Sequence, residues 1–104
     1  MSQPLPVSFT RRASRDVEEA GRWWRKNREK APEALSEELE QALQLIASQP
    51  EVGAIARNIK LAGVRRILLN RVSYHLYYRL RETPARSIQV VALWHASRGA
   101  RPRL

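Results

Sequence analysis

The sequence predicts an α+β domain in which a helical hairpin covers one face of an antiparallel sheet. Three observations predict it. Apolar residues recur with helical spacing between residues 11 and 48, and they alternate with period two between residues 64 and 95. The whole chain is 104 residues, the size of one domain with one core, so the two halves must pack on each other. The expected order is β-α-α-β-β-β: an N-terminal strand, two antiparallel helices, then a three-stranded antiparallel sheet. A single domain is expected over 1–104, with 1–4 and 99–104 as mobile tails.

Leu5-Pro6-Val7-Ser8-Phe9 reads as a short strand, with Val7 and Phe9 on one face and Pro6 suiting an edge or a strand start. Thr10 or Ser14 then supplies a helix cap. From about Arg11 to Arg28, Val17, Ala20, Gly21 and Trp24 fall at i, i+3, i+4 and i+7. Asp16, Glu18 and Glu19 sit toward the start of this helix, and Arg25, Lys26, Arg28 and Lys30 toward its end, an order that suits the helix dipole. Ala31-Pro32 breaks it, and Pro32 is placed to begin the next helix.

Leu35, Leu39, Ala42, Leu43 and Ile46 form the second apolar stripe, opposite Glu33, Glu37, Glu38 and Glu40. Gln49-Pro50 and Gly53 end it. The short break between the helices implies an antiparallel hairpin. Residues 50–62 read as a loop. Val64 to Leu69 is a strand, Asn70-Arg71 a tight turn and Val72 to Arg81 the longest strand. On that strand Tyr74, Leu76, Tyr78 and Leu80 share one face; Ser73, His75, Tyr77, Arg79 and Arg81 share the other. Ser87 to His95 closes the sheet, and its run Val90-Val91-Ala92-Leu93-Trp94 reads as a central, buried strand. The second sheet face is then left to carry the arginines.

Charge divides the chain. The net charge is +9. Residues 1–56 hold 8 Lys/Arg against 9 Asp/Glu, whereas residues 57–104 hold 11 Lys/Arg against one acid, Glu82. A basic half of this kind concentrates anions and speeds their approach. It suits RNA, DNA or an acidic protein segment. There is no cysteine, which excludes disulfides and thiolate metal sites. Met1-Ser2-Gln3-Pro4-Leu5-Pro6 lacks the basic and apolar regions of a signal peptide, and no run reaches membrane-spanning length, so a cytoplasmic location is expected.

No GxGxxG, P-loop or HExxH pattern is present, and His75 and His95 are not at metal-ligand spacing, so no cofactor is expected. The carboxylates lie on helix surfaces among basic neighbours and read as solvated intrahelical pairs. The set that stands out is Arg57, Lys60, Arg65, Arg66, Arg71, Arg79, His95 and Arg98. Arginine grips a phosphate or carboxylate through two hydrogen bonds and keeps its charge. The plain reading is a binding surface. The sharper one is metal-independent RNA cleavage, with histidine or tyrosine moving the proton and arginine steadying the phosphorane. Trp24 belongs to the apolar stripe, Trp94 to the core, and Trp23 sits to the side, as a partly buried residue or as an interface marker.

The strand ending in Thr10, the hairpin, Val64-Arg65-Arg66-Ile67-Leu68, Tyr74-His75-Leu76-Tyr77-Tyr78-Arg79 and Val90-Val91-Ala92-Leu93-Trp94-His95-Ala96-Ser97-Arg98 occur in an order that resembles the RelE/ParE superfamily of toxins from bacterial type II toxin–antitoxin systems. The resemblance spans about residues 7 to 99. It implies a sheet against two helices and an antitoxin as partner, acidic at least where it binds. It further implies one of two activities. RelE-like members cleave mRNA in the ribosomal A site; ParE-like members inhibit DNA gyrase and serve plasmid stabilisation. For an RNase the resemblance points to Arg65, Arg66, Arg79 and His95. No tyrosine follows Tyr78, whereas RelE-like enzymes typically keep one near the C-terminus. The long hairpin and the Trp94–Arg98 ending are closer to ParE. The leading expectation is therefore a ParE-like gyrase inhibitor, with a ribosome-dependent mRNase or a degenerate, antitoxin-binding toxin as alternatives.

Overall fold

The structure is a computed structural model that describes residues 3–98 and 101–104. Its elements in chain order are β1 (Val7–Phe9), α1 (Arg11–Asn27), α2 (Ala34–Ser48), β2 (Ala54–Ile55), β3 (Val64–Leu69), β4 (Tyr74–Arg81) and β5 (Ser87–His95). The strands form one sheet in the order β1-β5-β4-β3-β2. The α+β class and the helical hairpin are as expected. The three expected antiparallel strands are its centre, and two short strands extend it. β1 lies parallel to β5, with Val7 opposite Ile88 and Phe9 opposite Val90. β2, inside the stretch read as loop, pairs with β3 through Ala54–Arg66 and Ile55–Arg65. A two-residue strand has no alternation to read, which is why the sequence hides it.

Local chemistry explains each boundary. The Thr10 hydroxyl accepts the Ala13 N–H at 3.0 Å and starts α1. The Thr10 N–H donates to Val90 at 3.0 Å, so the helix start is fixed to β5. α2 begins at Ala34 rather than Pro32: Pro32 and Glu33 lie in the turn, and Glu33 caps without a side-chain hydrogen bond. The indole N–H of Trp24 donates to Ala31 at 2.7 Å and ties that turn to α1. The turn after β3 takes four residues rather than two. Val72 and Ser73 donate to the Leu69 carbonyl, and Ser73 has φ of 60°, so β4 starts at Tyr74.

The helices bury their stripes against one sheet face. Ala13, Ala20 and Trp24 of α1 and Leu35, Ala42 and Ile46 of α2 meet Tyr74, Leu76, Tyr78, Ile88, Val90 and Leu93. Leu76 and Ile46 are fully buried, and truncating either to alanine costs about 2–5 kcal/mol.

One irregularity redirects β5. Tyr77 lies opposite Ala92, but Tyr78 lies opposite Val90, so Val91 is an extra residue in the ladder. Val90 and Leu93 therefore face the helices, while Val91 and Ala92 face away. Both faces of β5 are covered, so Val90-Val91-Ala92-Leu93 is buried throughout, as the unbroken apolar run suggested.

The second sheet face differs from expectation. It carries arginines, but also a small apolar cluster of Val64, Tyr77, Val91 and Ala92, packed by Ile59, Leu61, Trp94 and Leu104. The end of the chain, expected to be a loose tail, supplies part of that cover. The Leu61 N–H donates to Leu104 at 3.2 Å, and Arg12 Nη1 donates to Arg103 at 2.8 Å. An apolar residue on an otherwise polar face gains by covering Tyr77 and Val91. Residues 1, 2, 99 and 100 of the two expected tails lie outside the described residues.

Candidate functional site

Strand alternation sends Arg65 and Arg66 to opposite faces. Arg65 is on the helix side, where Nη1 donates to the carbonyls of Gly53 at 2.8 Å and Glu51 at 3.3 Å. It clamps the segment between α2 and β2. Arg71 also works as scaffold. Its Nη1 meets Glu37 Oε2 at 3.1 Å, and its backbone N–H donates to Glu38 Oε1 at 2.7 Å, which fixes the β3–β4 turn to α2.

Arg66, Arg79 and His75 are on the second face. Arg66 stands opposite Tyr77 in the β3–β4 ladder, and Arg79 Nε donates to Gln89 Oε1 at 2.9 Å. Partial burial lowers the pKa of His75, and the positive charges of Arg66 and Arg101 lower it further. The neutral imidazole that results is a proton acceptor beside two fixed cations. Arg57 and Lys60 are exposed on the segment between β2 and β3. Lys60 joins Asn58, Ile59 and residues 101–104 around a shallow cavity of about 290 Å³.

His95 and Arg98 lie elsewhere, at the seam between α1 and the end of β5. His95 faces Tyr74 across the ladder, with ring centroids 4.9 Å apart and edge-on. Its Nδ1 is 2.6 Å from the Ser97 hydroxyl and receives the Ser97 N–H at 3.2 Å. The Arg98 guanidinium sits 3.8 Å from the centroid of the Trp94 ring. Trp23, on α1, borders the same seam.

The eight residues singled out in the sequence therefore occupy several places. The four that an RNase would use are not gathered. Arg65 faces the helices, Arg66 and Arg79 face away, and His95 is six positions along β5 from Gln89, the partner of Arg79, roughly 20 Å at strand spacing. What the structure does gather on the second face is Arg66, His75, Tyr77 and Arg79. The alternation of β4 puts the last three on one side, but of these only Arg79 is a candidate from the sequence, since His75 has no metal-ligand spacing and alternation alone does not bring Arg66 beside it. Tyr74, placed correctly on the helix side, also borders the seam. Among the described residues no three His, Cys, Asp or Glu side chains converge as a metal site would need, and no helix is long and apolar enough to cross a membrane.

Residues 7–99 match the family model described as the ParE toxin of the type II toxin–antitoxin system, parDE. The chain thus belongs to the ParE toxin family, within the RelE/ParE superfamily of type II toxins. Among solved structures it is similar to the chromosomal ParDE toxin–antitoxin system from P. aeruginosa, at 24% identity and a TM-score of 0.65, covering 92% of this chain and 100% of that one. It is also similar to the RelBE2 toxin–antitoxin complex from Mycobacterium tuberculosis, at 26% identity and a TM-score of 0.62, covering 89% of this chain and 99% of that one. No curated protein sequence matches it.

Proposed function

We propose that this chain is a ParE-like toxin that inhibits DNA gyrase and is neutralised by an acidic segment of a cognate antitoxin. The match of residues 7–99 to the ParE toxin family carries the reading. The dispersal of Arg65, Arg66, Arg79 and His95 supports it, because a cleavage site needs its groups within hydrogen-bond reach of one phosphate. The charge distribution supports an acidic partner, and a segment disordered when free would fold onto the toxin as it binds.

The test is a supercoiling assay with purified gyrase, ATP and relaxed plasmid. Inhibition of supercoiling, or linear DNA released from a trapped cleavage complex by detergent and protease, is the expected result. Full supercoiling and no linear DNA at a large molar excess of the chain would sink the reading.

A second reading is ribosome-dependent mRNA cleavage, favoured by one observation: His75, a proton acceptor under the charge of Arg66, lies on the second sheet face that Arg79 shares. Primer extension on translated mRNA separates the two. Cuts that disappear with Arg66→Ala or His75→Ala support cleavage; cuts that disappear with His95→Ala support the set first read from the sequence. A chain that only sequesters an antitoxin would leave bacterial growth unchanged when expressed alone.

A further inference from the structure

We propose that the groove between α1 and the end of β5, walled by Trp23, Tyr74, His95, Ser97 and Arg98, is an anchor pocket for an acidic polypeptide segment. The segment seats one apolar side chain there and sets a neighbouring carboxylate against Arg98. The proposal deepens, and rests on, the reading that this basic chain binds an acidic protein partner.

Tyr74 is the first argument. It is 8% exposed as a residue and its hydroxyl bonds no protein group among the described residues, yet no buried side-chain oxygen or nitrogen among them lacks a partner, so this hydroxyl meets solvent where the side chain borders the groove. A ligand carbonyl or carboxylate seated in the groove takes the place of that water. Burial raises the pKa of this hydroxyl and the Arg98 charge opposes the rise, so it stays a donor at neutral pH within electrostatic reach of Arg98.

The walls are apolar but rigid. Trp23 is 44% exposed, and the Arg28 guanidinium lies 5.3 Å from its ring centroid. An exposed indole held in place is the side chain that interfaces most often use as an anchor. The His95 ring is fixed edge-on to Tyr74, and the Ser97 N–H bound to Nδ1 leaves Nε2 as the donor. Arg98 is stacked 3.8 Å from the Trp94 centroid, so less side-chain entropy is lost when it meets a carboxylate. The groove holds about 310 Å³, the low end for ligand pockets, which suits one or two side chains.

The charge pattern favours a polypeptide over a nucleic acid. Asp16 and Glu19 line the adjoining cavity, which shares Trp23, Tyr74, His95 and Arg98 with the groove. A phosphodiester backbone running from the groove into that cavity would meet their carboxylates. A peptide presents its carboxylate to Arg98 and leaves neutral atoms against the acids.

The experiment is selection of a random 12-residue peptide library displayed on phage against the purified full chain. Binding of the enriched peptides, made synthetically, is then measured on variants. The expected peptides pair an aromatic or aliphatic residue with a nearby Asp or Glu. Trp23→Ala and Arg98→Gln should weaken them about tenfold or more, as anchor residues do. Tyr74→Phe should weaken them roughly three- to tenfold, the size of one hydrogen bond, without lowering the melting temperature. That last readout separates a ligand-facing hydroxyl from a structural one. Arg86→Gln, which removes the same charge from the distant β4–β5 connection, should leave binding unchanged.

Acidic peptides that bind wild type and all groove variants alike would overturn the pocket while leaving the acidic-partner reading standing. Failure to select any acidic peptide would overturn both. An oligouridylate that binds wild type and is lost on Trp23→Ala and Arg98→Gln would overturn the pocket in favour of a nucleic-acid site.

Discussion

Tyr78 and Gly53 are locked together. The Tyr78 hydroxyl accepts the Gly53 N–H at 2.9 Å and donates to the Pro50 carbonyl at 2.8 Å, and a Cβ at Gly53 would stand only 2.7 Å from that oxygen. The glycine is there for close approach, since the Arg66 carbonyl would be 2.9 Å from the same Cβ. Tyr78 is wholly buried. Tyr78→Phe strands a buried N–H and a carbonyl and should cost about 1–3 kcal/mol. Gly53→Ala should cost a similar amount by expelling the ring. The double variant should cost less than the sum, because the two remove one interaction. Urea denaturation followed by circular dichroism checks this; additive losses would show that the two residues act separately.

Asp16 joins α1 to the bulged part of β5. Its Oδ2 accepts the Leu93 N–H at 3.1 Å and the Arg12 Nε at 3.1 Å. Leu93 lies just past the extra residue, where the ladder leaves its N–H to a side chain. Asp16→Ala should therefore lower stability by about 1–3 kcal/mol, the cost of a buried donor left unpaired. Asp16→Asn, which keeps an oxygen for the Leu93 N–H but removes the ion pair with Arg12, should cost less, because an ion pair so near the surface contributes about 0–1 kcal/mol. Equal losses would show that the ion pair, not the Leu93 contact, holds the helix.

Much of this fold was legible because the elements that matter are long. Seventeen residues of α1 and eight of β4 carry enough apolar positions to fix a period. The two-residue β2 and the packed residues 101–104 were not legible, since their contacts come from distant chain rather than local pattern. The candidate site was half legible for a related reason. Composition reveals how many arginines a strand holds, and alternation reveals their faces. Neither reveals that Arg65 is spent on the Gly53 carbonyl, that Arg71 is spent on Glu37 and Glu38, or that His95 and Arg79 are a strand length apart.

Arg65 and Arg66 should thus separate in their effects although they are neighbours. Arg65→Ala releases two carbonyls and loosens the segment that Tyr78 also holds. It should lower stability by about 1 kcal/mol, or roughly 4–8 °C in melting temperature for a domain of this size. Arg66→Ala removes a cation from the outer face and should leave the melting temperature within about 2 °C, in the range of ordinary surface changes. Any loss of toxicity on expression in bacteria should then follow Arg66 at full protein abundance, and Arg65 only through reduced abundance. Growth curves with parallel immunoblots check both. A large thermal shift for Arg66→Ala would place it in the scaffold.

His75 sets the pH dependence expected on the acid side. Its neutral form is favoured by partial burial, then by Arg66 across the ladder and Arg101 from the chain end. The other groups around it, Tyr77 edge-on at 6.3 Å and Leu68 and Trp94 in the adjoining strands, bring no negative charge to offset them. The folded-state pKa is therefore below the ordinary 6.5. A histidine shifted down contributes stability that is fully present above the unfolded value and is lost as pH falls through the folded one, because the unfolded chain takes up the proton first. The melting temperature should hold steady from pH 8 to about 7 and decline below about 6.5. His75→Gln should flatten that decline whatever its effect on the plateau. Salt at about 0.5 M should shrink the part due to Arg66 and Arg101 and leave the part due to burial. Thermal melts at half-unit pH steps provide the measurement. An unchanged slope in His75→Gln would assign the acid sensitivity to other groups.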